Sequence, residues 1–445
     1  MRMVVHDVLR AFEKINGYTI LVKGSPGTGK TTFAVTLLEE VCSKGGGKGV
    51  YISTRVDPET LYKQFPRISE FVPAGNILDA TQSEFVEDKS KHLRYEDFAS
   101  FLRAVFTKVE EKDVSILIVD SWDAIHSQIG GDAEKLNVSM LDIARKTETN
   151  LVLISEKEEE EKLDYLVDCI LLFKQEREDE RLVRRVFIQK MRGIPIKEQM
   201  NLFTLHDGRF THVTSNIALV RAKKERIPNK DALFSSGIMA LDDILGGGYP
   251  NGGFILLEVA KESVGLESYW QIVLQTVANF LHNDMGVLVI PEEGLDAEFI
   301  KESIANYVEE AKIRNVKVIN ADAGSDNLSE YFNSYMEEYN KLKGKGKHCL
   351  HVIGLTKMNF FDENDVRVHL SELIVRNHHN GDLMIGLMRP STVLSGEIKE
   401  MASIYLKMTQ IDGVVCMYGI RPRTCIYGLS QELGEFLEIK LTPIV

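Results

Sequence analysis

The stretch Gly24-Ser25-Pro26-Gly27-Thr28-Gly29-Lys30-Thr31-Thr32 constrains this chain more than any other. Gly24, four residues, then Gly29, Lys30 and Thr31 is the spacing of a phosphate-binding loop. An apolar run, Tyr18-Thr19-Ile20-Leu21-Val22, precedes it; Phe33, Val35, Leu37 and Leu38 follow at helical spacing. Strand, glycine-rich turn and helix in that order is the setting the motif needs. Glycines let successive backbone N–H groups converge on phosphate oxygens without Cβ clashes, and the helix N-terminus adds partial positive charge. On this reading Gly24, Gly27, Thr28, Gly29, Lys30, Thr31 and Thr32 form the cradle for ATP. Lys30 bridges the β- and γ-phosphates and the Thr31 hydroxyl ligates Mg²⁺.

Further on, Val114-Ser115-Ile116-Leu117-Ile118-Val119-Asp120-Ser121 is an apolar run ending in a carboxylate. An all-apolar strand suits the middle of a parallel sheet covered on both faces. Asp120 then sits on the edge where such sheets bind ligands, placed to hold a water of the Mg²⁺ shell. Many strands of this kind end in Asp; after a complete phosphate loop the signal becomes specific.

A length of 445 residues predicts two or three domains, and 44% hydrophobic with 27% charged residues is ordinary for soluble globular chains. No apolar run approaches the roughly 20 residues that span a bilayer, so no membrane association is expected. The start, Met1-Arg2-Met3-Val4-Val5-His6-Asp7, lacks a signal-peptide core. Cys42, Cys169, Cys349, Cys416 and Cys425 are scattered without metal-type spacing and read as reduced residues of a cytoplasmic protein. His378-His379 reads as part of a surface loop rather than a metal site. A net charge of −13 argues against nucleic-acid binding, which needs a basic surface.

The chain also contains a weak internal duplication. Tyr18–Lys23 corresponds to Phe254–Val259, Gly49–Ser53 to Gly286–Ile290, and Asn76–Ala80 to Val318–Ala321. Ser115–Asp120 corresponds to His348–Gly354, and Asn150–Ser155 to Asp382–Leu387. Strands alternating with helical stretches predict an α/β fold, two tandem domains with parallel central sheets covered by helices. The polar, basic segment Ala222–Lys230, broken by Pro228, marks a linker. The expected division is residues 1–216, a linker at 217–231, and residues 232–445.

Ser236-Gly237-Ile238-Met239-Ala240-Leu241-Asp242-Asp243-Ile244-Leu245-Gly246-Gly247-Gly248-Tyr249-Pro250-Asn251-Gly252-Gly253 resembles the opening motif of KaiC-like domains in the RecA superfamily. Tyr165-Leu166-Val167-Asp168 and then Lys190-Met191-Arg192-Gly193 resemble the distal part of the same domain. The first half lacks the glycine-rich opening segment, and its short lead-in resembles the phosphate-loop domain of the GvpD family of archaeal gas-vesicle regulators. The resemblance implies two RecA-like (P-loop NTPase) domains. It also implies that Lys190 and Arg192, alternate residues of a strand, reach across a subunit interface to a neighbour's γ-phosphate in a homo-oligomer. The plainer reading is a solvated basic edge in a region that also holds Arg177, Arg181, Arg184 and Arg185.

In KaiC-like ATPases a glutamate pair after the second strand polarises the attacking water; here that place is Arg55-Val56. Loss of such a base removes roughly 10²–10⁴-fold of rate, so ATP binding with slow or absent hydrolysis is expected. Asp57, Glu59 and Glu156 are the available acids, although Asp57 before Pro58 reads equally well as a helix N-cap. In the second half the loop position reads Val259-Ala260-Lys261-Glu262-Ser263-Val264-Gly265-Leu266-Glu267-Ser268. Leu266 and Glu267 stand where Lys and a hydroxyl belong, Gly354 replaces the carboxylate, and Met417-Tyr418-Gly419 is expected at the Lys-x-Arg place. The second half is therefore expected to be a pseudo-ATPase domain, with Glu292-Glu293 on a solvated loop. Two function classes follow. One is a nucleotide-gated oligomeric regulator or scaffold with a protein partner. The other is a RecA/RadA-like DNA-binding ATPase of recombination or repair, which the acidic run Glu156-Lys157-Glu158-Glu159-Glu160-Glu161 after the fifth strand opposes.

Overall fold

In the computed structural model the described residues are 4–44, 46–80, 98–129, 133–260, 264–319, 328–343 and 348–445. Residues 261–263 of the degenerate loop and Asn320-Ala321 of the repeat lie outside them. The chain divides into two compact units, Met1–Val213 with Ile444–Val445, and Thr214–Pro443. Ile217, in the segment read as a linker, belongs to the core of the second unit, and Leu219, Val220 and Ala222 pack against it.

Each unit is built on a nine-stranded sheet. In the first, strands β1 (Thr19–Lys23), β2 (Gly49–Ser53), β3 (Ile77–Asp79), β4 (Ile116–Asp120), β5 (Asn150–Ser155), β6 (Cys169–Glu178), β7 (Arg181–Met191), β8 (Met200–Thr204) and β9 (Thr211–His212) lie in the order β3-β2-β4-β5-β1-β6-β7-β8-β9. From β3 to β6 neighbours are parallel; β6 to β9 are antiparallel. Every residue of β1 and β2 is buried, as a parallel sheet covered on both faces requires. Separate apolar clusters lie on the two faces. Helix α1 (Val4–Lys14) turns Val4, Val5, Val8, Ala11 and Phe12 inward, one stripe at helical spacing. Helix α2 (Lys30–Glu39) follows the glycine loop and is anchored by Phe33, whose ring lies 5.3 Å from Phe173 and 5.1 Å from Phe210.

The second unit opens with a short pair, β10 (Leu233–Phe234) and β11 (Tyr249–Pro250). Its large sheet contains β12 (Phe254–Val259), β13 (Gly286–Ile290), β14 (Val316–Val318), β15 (Cys349–Gly354), β16 (Leu383–Met388), β17 (Ile404–Ile411), β18 (Val414–Arg421), β19 (Ile426–Leu433) and β20 (Leu437–Ile444). Their order, β14-β13-β15-β16-β12-β17-β18-β19-β20, repeats that of the first sheet. Even an irregularity repeats. The β6–β7 register shifts between Ile170 and Leu171, and the β17–β18 register between Tyr405 and Leu406. Ile170 pairs with Lys190 and Tyr405 with Arg421, so Arg421 is the counterpart of Lys190. Met417–Gly419, expected there, lies earlier on β18; the β17–β18 hairpin has shorter strands than β6–β7, so only the strand register identifies the counterpart. His378 and His379 lie in the last turn of the helix Glu363–Asn380 rather than in a loop. Among the described residues no helix is long and apolar enough to cross a membrane.

A buried ion pair of the first unit has a partly buried counterpart of reversed sign in the second. Lys23, ending β1, meets Asp164 at 2.9 Å, on the short helix Lys162–Leu166 before β6. In the second unit Glu258 on β12 meets Lys399 at 2.9 Å, on the helix Ser395–Met401 before β17. Removing one partner of a buried pair costs about 3–5 kcal/mol, and the Lys23 side chain is only 2% exposed. Asp164→Ala is thus expected to lower the unfolding midpoint of the first unit in chemical denaturation. The double exchange Lys23→Glu/Asp164→Lys is expected to recover part of the loss relative to Lys23→Glu alone. Equal destabilisation by the single and double variants would show that the pair carries no coupling.

Candidate nucleotide site

Because β1, β2, β4 and β5 are parallel, their C-terminal ends share one edge. There a cavity of about 310 Å³ is lined by Gly27, Gly29, Lys30, Thr31, Thr32, Tyr51, Arg55, Asp120 and Glu156, among others. Gly24 and Thr28 shape the loop without lining this cavity. Gly24 has φ +147°, and a Cβ there would lie 2.4 Å from the Phe173 carbonyl oxygen; Thr28 is buried and donates to Ser25 O at 2.8 Å. Gly29 caps α2 in the left-handed region at φ +102°, a conformation glycine adopts freely.

Two sequence elements far apart in the chain meet here. The Thr31 hydroxyl donates to Asp120 Oδ2 at 2.7 Å, and the buried Tyr51 hydroxyl donates to the same oxygen at 2.7 Å. Burial, and then the Asp120 charge, pushes the Tyr51 phenol well above its ordinary pKa, so it stays a donor. A hydroxyl beside a carboxylate is a hard-oxygen set, the kind Mg²⁺ takes. Thr31 would ligate the ion directly and Asp120 through a water, and the ion would neutralise phosphate charge. Lys30 folds its ammonium onto Gly24 O and, at 2.8 Å, Ser25 O. Burial lowers its pKa, and the charges of Glu156 and Asp120 oppose that shift.

The cavity mouth is crossed by an ion pair that sequence reading did not anticipate. Arg55 donates through both terminal nitrogens to the two carboxylate oxygens of Glu156, the NH2 contact at 2.7 Å. Their side chains are 51% and 28% exposed, so the pair is worth about 0–1 kcal/mol. Glu156 is fixed from behind: its N–H donates to Asp123 Oδ2 at 2.6 Å, and Ser155 Oγ donates to Asp123 Oδ1 at 3.2 Å. Of the other candidate acids, Asp57 caps the helix Pro58–Gln64, accepting from Thr60 N at 2.9 Å. The acidic segment after β5 turns onto the loop, where Glu158 accepts from Ser25 N at 3.1 Å. Arg184, read as part of a solvated edge, donates to Gly27 O at 2.9 Å, and Arg185 is buried against Glu176 and Glu178.

Residues 14–216 match the KaiC ATPase family, and residues 223–338 match GvpD basic region 2. The first of these stretches is a KaiC-like domain of the RecA superfamily, in a chain related to GvpD. The chain is 26% identical to protein GvpD2 of Halobacterium salinarum, over 99% of this chain and 96% of that one. It is 28% identical to protein GvpD1 of the same organism, over 62% of this chain and 54% of GvpD1. To the circadian clock oscillator protein KaiC 1 of Synechocystis sp. it is 24% identical, over 57% of this chain and 51% of that protein.

In this KaiC-like unit Lys190 and Arg192 stand apart from the cavity. They lie where β7 pairs with the start of β6, level with Leu21 and the residues before it on β1, and outside the cavity lining. Lys190 Nζ donates to Asp164 O at 2.8 Å; Arg192 meets Asp168 at 3.2 Å, and both reach Tyr165 O at 3.3 Å. Arg421 in the second unit likewise donates to carbonyls before β17, Ala402 O at 2.6 Å and Glu400 O at 3.4 Å.

The second unit closes the equivalent place. Glu267 lies in the first turn of the helix Leu266–His282. A Cβ on Gly354 would lie 2.5 Å from the Glu292 Cα, leaving no room for a carboxylate there. Glu292 is not on a solvated loop: it is 2% exposed, 3.6 Å from Arg389 in an ion pair without a hydrogen bond. Burial raises its pKa.

Lys30→Ala is expected to abolish ATP binding in calorimetry, and Thr31→Ala or Asp120→Ala to weaken its Mg²⁺ dependence. Undiminished affinity in Lys30→Ala would remove the site assignment.

Proposed function

We propose that the first unit binds Mg-ATP and hydrolyses it slowly or not at all, and that the chain is a nucleotide-gated regulator or scaffold. The observation that carries this reading is the Thr31–Asp120 contact beside the glycine loop, in a cavity where Arg55 stands at the place after β2 that a water-polarising acid takes in KaiC-like ATPases. A guanidinium cannot take a proton from the attacking water, so the general-base contribution is missing at that place. The KaiC and GvpD likeness supports ATP as the ligand and a homo-oligomer as the working form. The second unit then serves assembly or contact with a protein partner, in the cytoplasm. The recombination reading is disfavoured: Glu158 and its neighbours, where a DNA-contacting loop would lie, repel a phosphate backbone.

One nucleotide is expected per chain, with Mg²⁺-dependent turnover well below the usual enzyme value of about 10 s⁻¹. Calorimetry with a non-hydrolysable ATP analogue measures the first and a phosphate-release assay the second. A stoichiometry of two would mean that the second unit is a working site.

We place Lys190 and Arg192 against a neighbouring chain's ATP, since they lie side by side outside the cavity of their own loop. Lys190→Ala/Arg192→Ala is expected to keep nucleotide binding but lose ATP-dependent association. Mixing it with Lys30→Ala chains is expected to restore some activity, because a mixed interface joins an intact loop to intact cations. Co-assembled mixtures without recovery would rule out action in trans and leave both residues as caps of the carbonyls they contact.

A further inference from the structure

Both units place one arginine and one glutamate at the two strand ends flanking the central β4 or β15, with opposite polarity. In the first, Arg55 lies two residues beyond β2 and Glu156 directly follows β5; in the second, Glu292 lies two residues beyond β13 and Arg389 directly follows β16. Sheet register supports the match, since Lys23 pairs with Ser155 and Glu258 with Met388, each just before the residue in question.

We propose that Arg55 is the residue by which this site distinguishes a nucleoside triphosphate from a diphosphate, the γ-phosphate taking its guanidinium from Glu156. The proposal rests on the Mg-ATP reading of the cavity. Arg55 and Glu156 line the same cavity as Lys30, Thr31 and Asp120, and the charges of both act on the Lys30 ammonium. A guanidinium that grips a carboxylate through two nitrogens presents the same fork to two phosphate oxygens. Among the described residues Glu156 is its one hydrogen-bond partner. A pair this exposed is held weakly, so a group with more negative charge, fixed beside Lys30, displaces the carboxylate. A diphosphate, seated on the loop amides deeper in the cradle, carries no group to the mouth and leaves the pair intact.

The second unit shows the converse arrangement. There the residue beyond β13 is the acid, the pair is buried, and Gly354 leaves the metal position without a carboxylate. The cation faces inward from the β2 side only in the unit whose loop and Asp120 are intact. Glu156 stays near the mouth after release, because its N–H remains on Asp123.

The test is calorimetry with Mg²⁺ and either ADP or the β,γ-imido analogue of ATP, on the wild type, Arg55→Gln, Glu156→Gln and Lys30→Ala. Arg55→Gln is expected to lose triphosphate affinity roughly ten- to hundredfold, the loss of one charge-assisted contact, with ADP affinity within about twofold. Glu156→Gln is expected to raise the triphosphate-to-diphosphate affinity ratio, since the competing carboxylate is gone. Equal losses for both nucleotides in Arg55→Gln, or no loss for either, would overturn the assignment while Lys30→Ala still loses both. A wild type that binds neither nucleotide, or a Lys30→Ala chain that binds like the wild type, would instead remove the cavity reading and the proposal with it. Arg55 is half-exposed, so its replacement is expected to leave the unfolding midpoint unchanged; a large fall there, with both affinities lost, counts against the proposal.

Discussion

The parallel register of β1, β2, β4 and β5 is the constraint on which the site depends. Ser53 pairs with Asp120, Asp120 with Ile154, and Lys23 with Ser155, so four chain segments end at one level. The residues following each strand then project into one place: the glycine loop, Arg55, Asp120 and Glu156. A parallel sheet gives that alignment only if crossovers cover both faces. The apolar clusters on either side of the sheet are therefore part of what holds Thr31 against Asp120.

The second unit shows that this scaffold persists without the chemistry. Strand order and even the bulge before Arg421 are retained. The carboxylate position is not, since the Glu292 backbone approaches Gly354 too closely for any side chain. Packing and polar chemistry are thus separable in this fold. Burial of apolar strands maintains the sheet, and nothing in that burial requires a phosphate-binding edge.

Much of this was legible from local pattern. The loop, the strand ending at Asp120 and the Asp57 cap depend on neighbours in sequence, and periodicity exposes them. What escaped depends on partners far apart in the chain. Arg55 and Glu156 were each singled out by position, but they are 101 residues apart and nothing in the sequence joins them. Tyr51 looks like any strand aromatic until its hydroxyl is found on Asp120. Glu292 was misjudged because it packs against Gly354 and Arg389, which lie at the ends of two other strands. Arg421 was missed for a different reason. The β17–β18 hairpin is shorter than β6–β7, and only strand register shows which residue stands at the Lys190 place.

The reversed polarity of the Lys23–Asp164 and Glu258–Lys399 pairs bears on how the two halves can exchange sequence. What they share at this position is neutrality, not sign. A crossover that copied β1 from one half beside the other half's next helix would set Lys23 against Lys399, or Glu258 against Asp164. Like charges opposed there, where Lys23 and Glu258 are little exposed, would destabilise a domain whose net stability is only about 5–15 kcal/mol. Gene conversion between the halves is therefore penalised at the level of folding. Each half is free to drift only by itself, and the faintness of the duplication is what such isolation would leave.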